Sequence, residues 1–402
     1  MKEHEYMQMA IELALTAEGM TNPNPMVGAV IVKDGRIIGK GCHERYGDLH
    51  AERNAIKSLT ESAKGAIIYV TLEPCCHHGK QPPCTEAIVE SGIQKVVIGS
   101  RDPNPLVTGK GVKFLREHGI EVVEDFMRKE CDEINPVFFH YITNQKPYVA
   151  IKYAMTADGK IATESGDSKW ITGENARNYV HKLRNYYKGI MVGIGTVLAD
   201  DPMLNCRLGE LDDCGDSVNG SCSAESSKNQ REYRNPIRIV LDSNLRIPMD
   251  SKLVQTANQI PVIVACLKSA DIDKRKALVE KGVEIITVPV SRTKESMDDY
   301  DRDIYGNQMH TELDLNFLMN KLADKQIDGI LVEGGSRVNA SVIRDGIAQK
   351  VYAFVGNKIF GGSGIYTPVA DADIKTVADS VELINKGVKV FDDDILIEYE
   401  VK

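Results

Sequence analysis

Hydrophobic positions along the chain follow two periods, and their order predicts an architecture. Tyr6, Met9, Ala10, Leu13, Ala14 and Ala17 recur at helical spacing, so the first segment should be an amphipathic helix ending near Gly19. Two β-rich runs, 26–32 and 36–41, flank Lys33-Asp34-Gly35, an Asp-Gly hairpin signal. A short helix opened by His50 and running to 59, a buried strand over 66–72, a helix over 85–91 and a strand over 95–99 follow. This alternation predicts a three-layer α/β/α domain over residues 1–145. Asn144-Gln145-Lys146-Pro147 is a short polar connection where a domain boundary belongs.

A second α/β pattern occupies 146–402. Buried strands are expected at 148–154, 189–193, 237–241, 261–266 and 330–332, and helices at 174–187, 274–281, 313–323 and 337–345. The runs 388–391 and 395–401 read as closing strands. Two polar stretches, near 209–235 and 291–310, have few apolar anchors and are expected to be surface insertions.

With 402 residues the chain can fill two cores. Its formal charge of −9 argues against a nucleic-acid partner, because phosphate backbones select basic surfaces, and points to a small-molecule substrate. No apolar run approaches the ~18 residues of a membrane span, and Lys2, Glu3, His4 and Glu5 replace any signal-peptide core, so no membrane partner and a cytoplasmic location are expected. Nine cysteines, an odd number, fit reduced thiols and ligands better than a disulfide framework.

Three of those cysteines cluster with histidines in the first quarter. His50-Ala51-Glu52 is followed by Pro74-Cys75 and, after eight intervening residues, by Cys84. One imidazole and two thiolates give Zn²⁺ three ligands and leave a fourth tetrahedral position open, as in catalytic sites. Zinc lowers the pKa of a water it binds to roughly 7, and Glu52 is placed to shuttle the proton to a ring and to departing ammonia, as in nucleobase deaminases. The signature of those enzymes separates its cysteines by two residues. The eight here require a loop that folds back, for which Gly79, Pro82 and Pro83 are suited. Cys76, His77 and His78 in that loop are rival ligands.

In the second half, Gly193-Ile194-Gly195-Thr196 lacks the third glycine of a dinucleotide fingerprint. Glu333-Gly334-Gly335-Ser336, between a buried strand and a helix, is a better phosphate cradle. Arg184 and Arg207 suit a phosphorylated substrate if the fold brings them to one mouth. Asp200-Asp201 reads as a solvated pair. Cys206, Cys214 and Cys222 recur every eighth residue without a histidine or a Cys-x-x-Cys pair, so a second metal site is not expected there.

Several runs together carry a resemblance. Asn22-Pro23-Asn24-Pro25-Met26-Val27-Gly28-Ala29-Val30, His50-Ala51-Glu52, Thr71-Leu72-Glu73-Pro74-Cys75 and Pro82-Pro83-Cys84 in the first half resemble the bifunctional riboflavin-biosynthesis deaminase/reductase family. So, in the second, do 152–162, 168–173, 192–202 and Glu333-Gly334-Gly335. The same long cysteine gap occurs in that family. The resemblance implies a cytidine-deaminase-like α/β/α domain followed by a dihydrofolate-reductase-like α/β domain. The first would deaminate 2,5-diamino-6-(5-phosphoribosylamino)pyrimidin-4(3H)-one, and the second would reduce the ribosyl group to ribityl with NADPH.

Residue by residue, the resemblance implies that His50, Cys75 and Cys84 hold one Zn²⁺ with Glu52 as proton shuttle. It also implies an NADPH site lined by Ala154, Trp170, Thr196, Asp200, Ser243, Gly335, Ser336, Arg337, Val338, Asn339, Ala340 and Ser341. Ser168, Arg184, Leu204, Arg207 and Glu333 would contact the substrate, and Asn24 and His43 would help hold its ring in the deaminase pocket. A homo-oligomer, dimer or tetramer, is the expected assembly. The alternative is a zinc deaminase carrying a non-catalytic nucleotide-binding module.

Overall fold

A computed structural model describes residues 2–76, 82–104, 107–208, 233–291, 312–362, 366–370 and 374–402. The chain forms two compact units, 1–146 and 147–402. Both polar stretches lie mostly outside the described residues, as do Cys214 and Cys222.

The first unit is built on a five-stranded sheet in the order β2-β1-β3-β4-β5. Strands β1 (Gly28–Lys33) and β2 (Arg36–Cys42) form the expected Asp34-Gly35 hairpin, both turn residues having positive φ. Strand β1 is also antiparallel to β3 (Ile67–Leu72), which runs parallel to β4 (Lys95–Ser100) and on to β5 (Glu121–Val123). Helix α1 (Glu3–Leu15) buries Tyr6, Met7, Ala10, Ile11 and Ala14. It lies so close to the sheet that a Cβ on Gly28 would meet the Ala10 carbonyl oxygen at 1.9 Å, so only glycine fits there. The opposite face packs α2 (Ala51–Lys57), α3 (Cys84–Glu90) and α4 (Lys110–Glu117) around Ala29, Ile31, Ile68, Val70, Val96 and Ile98. Helices α5 (Arg128–Glu133) and α6 (Pro136–Asn144) end the unit.

The second unit contains a nine-stranded sheet, β10-β9-β8-β7-β11-β6-β12-β14-β13. Its strands are β6 (Tyr148–Thr156), β7 (Gly189–Gly193), β8 (Ile237–Leu241), β9 (Val262–Leu267), β10 (Glu284–Val288), β11 (Gly329–Val332), β12 (Ala348–Gly356), β13 (Leu383–Phe391) and β14 (Asp394–Val401). Seven are mutually parallel, and β14 and β13 complete the sheet antiparallel. Parallel strands covered on both sides read as continuous apolar runs, and alternate residues here feed two cores. Met191, Ile239, Ile263 and Ala265 point to the face covered by helices Leu315–Asp324 and Ser336–Arg344. Ile190, Val192, Val240, Val262 and Val264 point to the other.

Strands β5, β10 and β12 and helices α4, α5 and α6 are absent from the elements expected from periodicity. Val351, Tyr352, Ala353 and Phe354 are an apolar run, but only pairing with β6 on one side and β14 on the other distinguishes it from a helix segment. The pair Gly193-Ile194 does not open a dinucleotide fingerprint. Helix α8 (Ile194–Asp200) starts directly off β7.

Candidate active sites

In the first unit the ligand candidates come from three element ends. His50 is the N-cap of α2, so its ring leaves the helix at its start, and Glu52 follows in the first turn, 3% exposed. Cys75 follows the end of β3 by three residues, and Cys84 is the first residue of α3. Their donor atoms converge: His50 Nδ1 lies 3.5 Å from Cys75 Sγ and 3.4 Å from Cys84 Sγ, and all three fall within 4.8 Å of one another. A tetrahedral zinc with ordinary Zn–N and Zn–S bonds spaces nitrogen and sulfur by roughly 3.6 Å, so this donor set fits the ion. Among the described residues it is the one His/Cys/carboxylate group with that convergence. Cys76 is outside it, and His77 and His78 lie outside the described residues.

The electrostatics suit a metal site. Hydrogen bonding from the Cys84 side chain holds the Cys75 thiol well below its usual pKa, despite opposing burial, and His50 and the Cys84 backbone N–H add to this. That N–H donates to Cys75 Sγ at 3.4 Å, and the Thr85 N–H and hydroxyl both donate to the Cys75 carbonyl. Burial raises the Glu52 pKa, with the Cys75 charge adding, as a proton carrier needs.

His43 sits against this group, its ring 5.4 Å from that of His50 in an edge arrangement. Its Nδ1 faces the Leu49 carbonyl at 3.1 Å, which can only accept, so Nδ1 carries the proton. Nε2 then accepts from the Asn24 amide nitrogen at 3.3 Å. Burial lowers the His43 pKa and keeps the ring neutral. The Asn24 amide is thereby oriented, with its oxygen turned away from His43.

In the second unit the candidates collect at the carboxyl ends of four adjacent parallel strands, β8, β7, β11 and β6, the edge where open α/β sheets bind ligands. Ala154 lies near the end of β6, Thr196 and Asp200 are on α8, and Ser243 follows β8. Glu333 and Gly334 leave β11, and Gly335 is the N-cap of helix Ser336–Arg344. Glu333 N donates to Met191 O and Gly193 N to Gly334 O, which ties the ends of β11 and β7 together. Gly334 has φ +105, a conformation that favours glycine. The Gly335 N-cap supplies no side-chain cap to the first N–H groups of the helix. Trp170 stands apart: it is 64% exposed, has φ +63, and packs its ring on the Arg177 guanidinium at 4.2 Å. Ser168 is two residues before it, half-buried.

Arg184, on α7 (Glu174–Tyr186), donates from Nε and Nη2 to the two Glu333 carboxylate oxygens at 2.7 and 2.9 Å, and from Nη1 to the Asn205 carbonyl at 3.0 Å. Its planar fork is therefore committed to Glu333, whereas the sequence suggested a fork for the substrate phosphate. Arg207 is exposed and remains available; its backbone N–H donates to His181 Nδ1 at 3.3 Å. Leu204, with φ +51, turns the chain between these arginines. Two residues were missed by motif reading. Lys152 on β6 is a half-buried ammonium whose pKa burial lowers while Glu333 opposes the shift. His181 is buried and pushed down to about 4 by burial and by the Arg184 and Arg207 charges. Lys152 opens the run 152–162, but its neighbours Glu333 and Arg184 are remote in sequence.

Fold and site together define a zinc-type nucleobase deaminase unit followed by a parallel-sheet nucleotide-binding unit. Residues 1–100 match the cytidine and deoxycytidylate deaminase zinc-binding region, and residues 147–397 match the RibD C-terminal domain. The chain is 45% identical to the riboflavin biosynthesis protein RibD of Actinobacillus pleuropneumoniae, over all of this chain and 96% of that one. It is 37% identical to RibD of Aquifex aeolicus, over 99% and 98%. A crystal structure of a diaminohydroxyphosphoribosylaminopyrimidine deaminase/5-amino-6-(5-phosphoribosylamino)uracil reductase from Thermotoga maritima matches at TM-score 0.79 and 37% identity, covering 99% of this chain and 98% of that one. Acinetobacter baumannii RibD matches at 0.80 and 32%, with the same coverage. The chain belongs to the RibD family of riboflavin biosynthesis. It is a zinc-dependent deaminase and an NADPH-dependent reductase in one polypeptide.

Proposed function

We propose that the chain acts twice on one phosphoribosylaminopyrimidine, with its deaminase domain over 1–145 and its reductase domain over 146–402. The convergence of His50, Cys75 and Cys84 beside Glu52 carries this reading. Those three residues would hold zinc, which would supply a Lewis acid that makes water nucleophilic near neutral pH. Glu52 carries the two protons of the attacking water in turn, the first to the ring nitrogen and the second to the leaving amine. As the C2–O bond forms and the C2–N bond breaks, ammonia departs. Asn24, oriented by neutral His43, presents its amide oxygen to the ring.

In the second reaction a bound NADPH would supply a hydride for C1′ of the ribosyl group, and the sugar-ring oxygen would take up a proton as its bond to C1′ breaks. The start of helix Ser336–Arg344, with Ser336, Arg337 and Val338, receives a cofactor phosphate, with Asn339, Ala340 and Ser341 on the same helix. Gly335, Thr196, Asp200, Ser243, Ala154 and Trp170 complete the cofactor site. Arg207 binds the substrate phosphate, and Ser168, Leu204, Arg184 and Glu333 position the sugar. Lys152 is the proton donor. The free state of all seven described cysteines accords with a reducing, cytoplasmic setting, and a homo-oligomer, dimer or tetramer, is the expected assembly.

A coupled assay tests the reading. Purified protein with zinc and NADPH should release ammonia and oxidise NADPH in equal amounts from one diaminopyrimidine substrate. Ammonia without cofactor oxidation, also when deaminated substrate is supplied, would instead make the second unit a non-catalytic nucleotide-binding module.

A further inference from the structure

The eight-residue gap between the two cysteine ligands leaves the position of Cys84 to something other than its short-range link to Cys75. Downstream, the Cys84 and Thr85 backbone N–H groups hold on to Cys75. Upstream, the approach runs through Pro82 and Pro83, which have no N–H to donate and so cannot anchor themselves through one. Their carbonyls do have a partner. Arg53 Nε donates to Pro82 O at 3.1 Å, and Arg53 Nη2 donates to Pro83 O at 2.8 Å. The guanidinium thus spans two consecutive carbonyls immediately before the ligand, and its rigid fork fixes their spacing and direction at once.

Arg53 is also one residue beyond Glu52, on the helix whose N-cap is His50. We propose that Arg53 is a positioning residue that holds Cys84, through the Pro82 and Pro83 carbonyls, in register with the helix bearing His50 and Glu52. The inference rests on the reading of His50, Cys75 and Cys84 as zinc ligands. It gives the long cysteine gap a mechanical counterpart: a side chain from the first ligand's helix joins the Cys84 and Thr85 backbone bonds in placing the second sulfur.

The test uses the full-length holoprotein, with Arg53→Met, which removes both donors, and Arg53→Lys, which keeps the charge but not the fork. Arg53→Met should lose zinc to a chelator about tenfold faster or more, in line with the usual cost of removing a group that supports a ligand. Its cobalt-substituted form should show an altered thiolate-to-cobalt absorption band. The deaminase kcat should fall by a similar factor with KM little changed, and reduction of deaminated substrate by the same sample should be unaffected, which reports folding. Arg53→Lys should lie between wild type and Arg53→Met. Unchanged zinc release and an unchanged cobalt spectrum in both variants would overturn the proposal, as would a rise in KM alone, which would make Arg53 a substrate contact. If wild type itself holds no stoichiometric zinc, or a Cys84→Ser control keeps it, the ligand reading fails instead.

Discussion

Arg184 and Glu333, 149 residues apart in the chain, face each other through two parallel hydrogen bonds at 2.7 and 2.9 Å, with side chains only 14% and 7% exposed. Burial pushes the Glu333 pKa up, but the charge and hydrogen bonds of Arg184, helped by Lys152, bring it down to about 2. Removing one partner of a buried pair leaves the other charge uncompensated, at a cost of about 3–5 kcal/mol. Glu333→Gln should therefore destabilise the second unit by that order and abolish reduction, as measured by denaturant unfolding and NADPH oxidation. Stability within about 1 kcal/mol of wild type would show that the pair contributes little.

The same pair sets an acid limit. The folded pKa of Glu333 lies below its ordinary value of 4.5, so its stabilisation is complete above that pH and is lost as pH falls toward about 2. The tyrosine and Trp170 fluorescence of wild type should report unfolding across this window. In Glu333→Gln, that component of the pH dependence should be missing.

Glu52→Gln keeps the shape of the deaminase site and removes its proposed proton carrier. Ammonia release should fall by about 10²–10⁴, the range general acid–base catalysis contributes. Zinc content by elemental analysis and reduction of deaminated substrate should persist. Unchanged turnover would remove Glu52 from the mechanism.

Arg207 is exposed and its Nη1 donates to the Asn205 side-chain oxygen at 3.4 Å, whereas Arg184 gives two bonds to the Glu333 carboxylate. Arg207→Met should raise KM for the phosphorylated substrate by about tenfold or more, the value of a charge-assisted hydrogen bond, and leave KM for NADPH within twofold. Equal effects on both would contradict a substrate-phosphate role.

Lys152→Met should lower the reductase kcat by about a hundredfold with little change in NADPH binding. Because burial lowers the Lys152 pKa, the wild-type kcat profile should decline on the alkaline side below the ordinary lysine value of 10.5, and this limb should disappear in the variant. A limb that persists in Lys152→Met belongs to another group.

Much of this protein is determined by local sequence. Helix α1, the Asp34-Gly35 hairpin, the candidate group His50, Cys75 and Cys84, and strands β6, β7, β8, β9 and β11 follow from periodicity, turn chemistry and donor type. Tertiary structure decided what depends on residues far apart in the chain. Strand β12 owes its identity to two neighbouring strands, and the Arg184 fork went to Glu333 because helix α7 and the end of β11 meet. The Asn24 amide was turned by His43, 19 residues away, and Lys152 acquired a lowered pKa from its burial beside Glu333 and Arg184. The physical reason is common to all four. A side chain's chemistry lies in its own atoms, but its charge state and the direction of its hydrogen bonds are set by neighbours that only folding supplies.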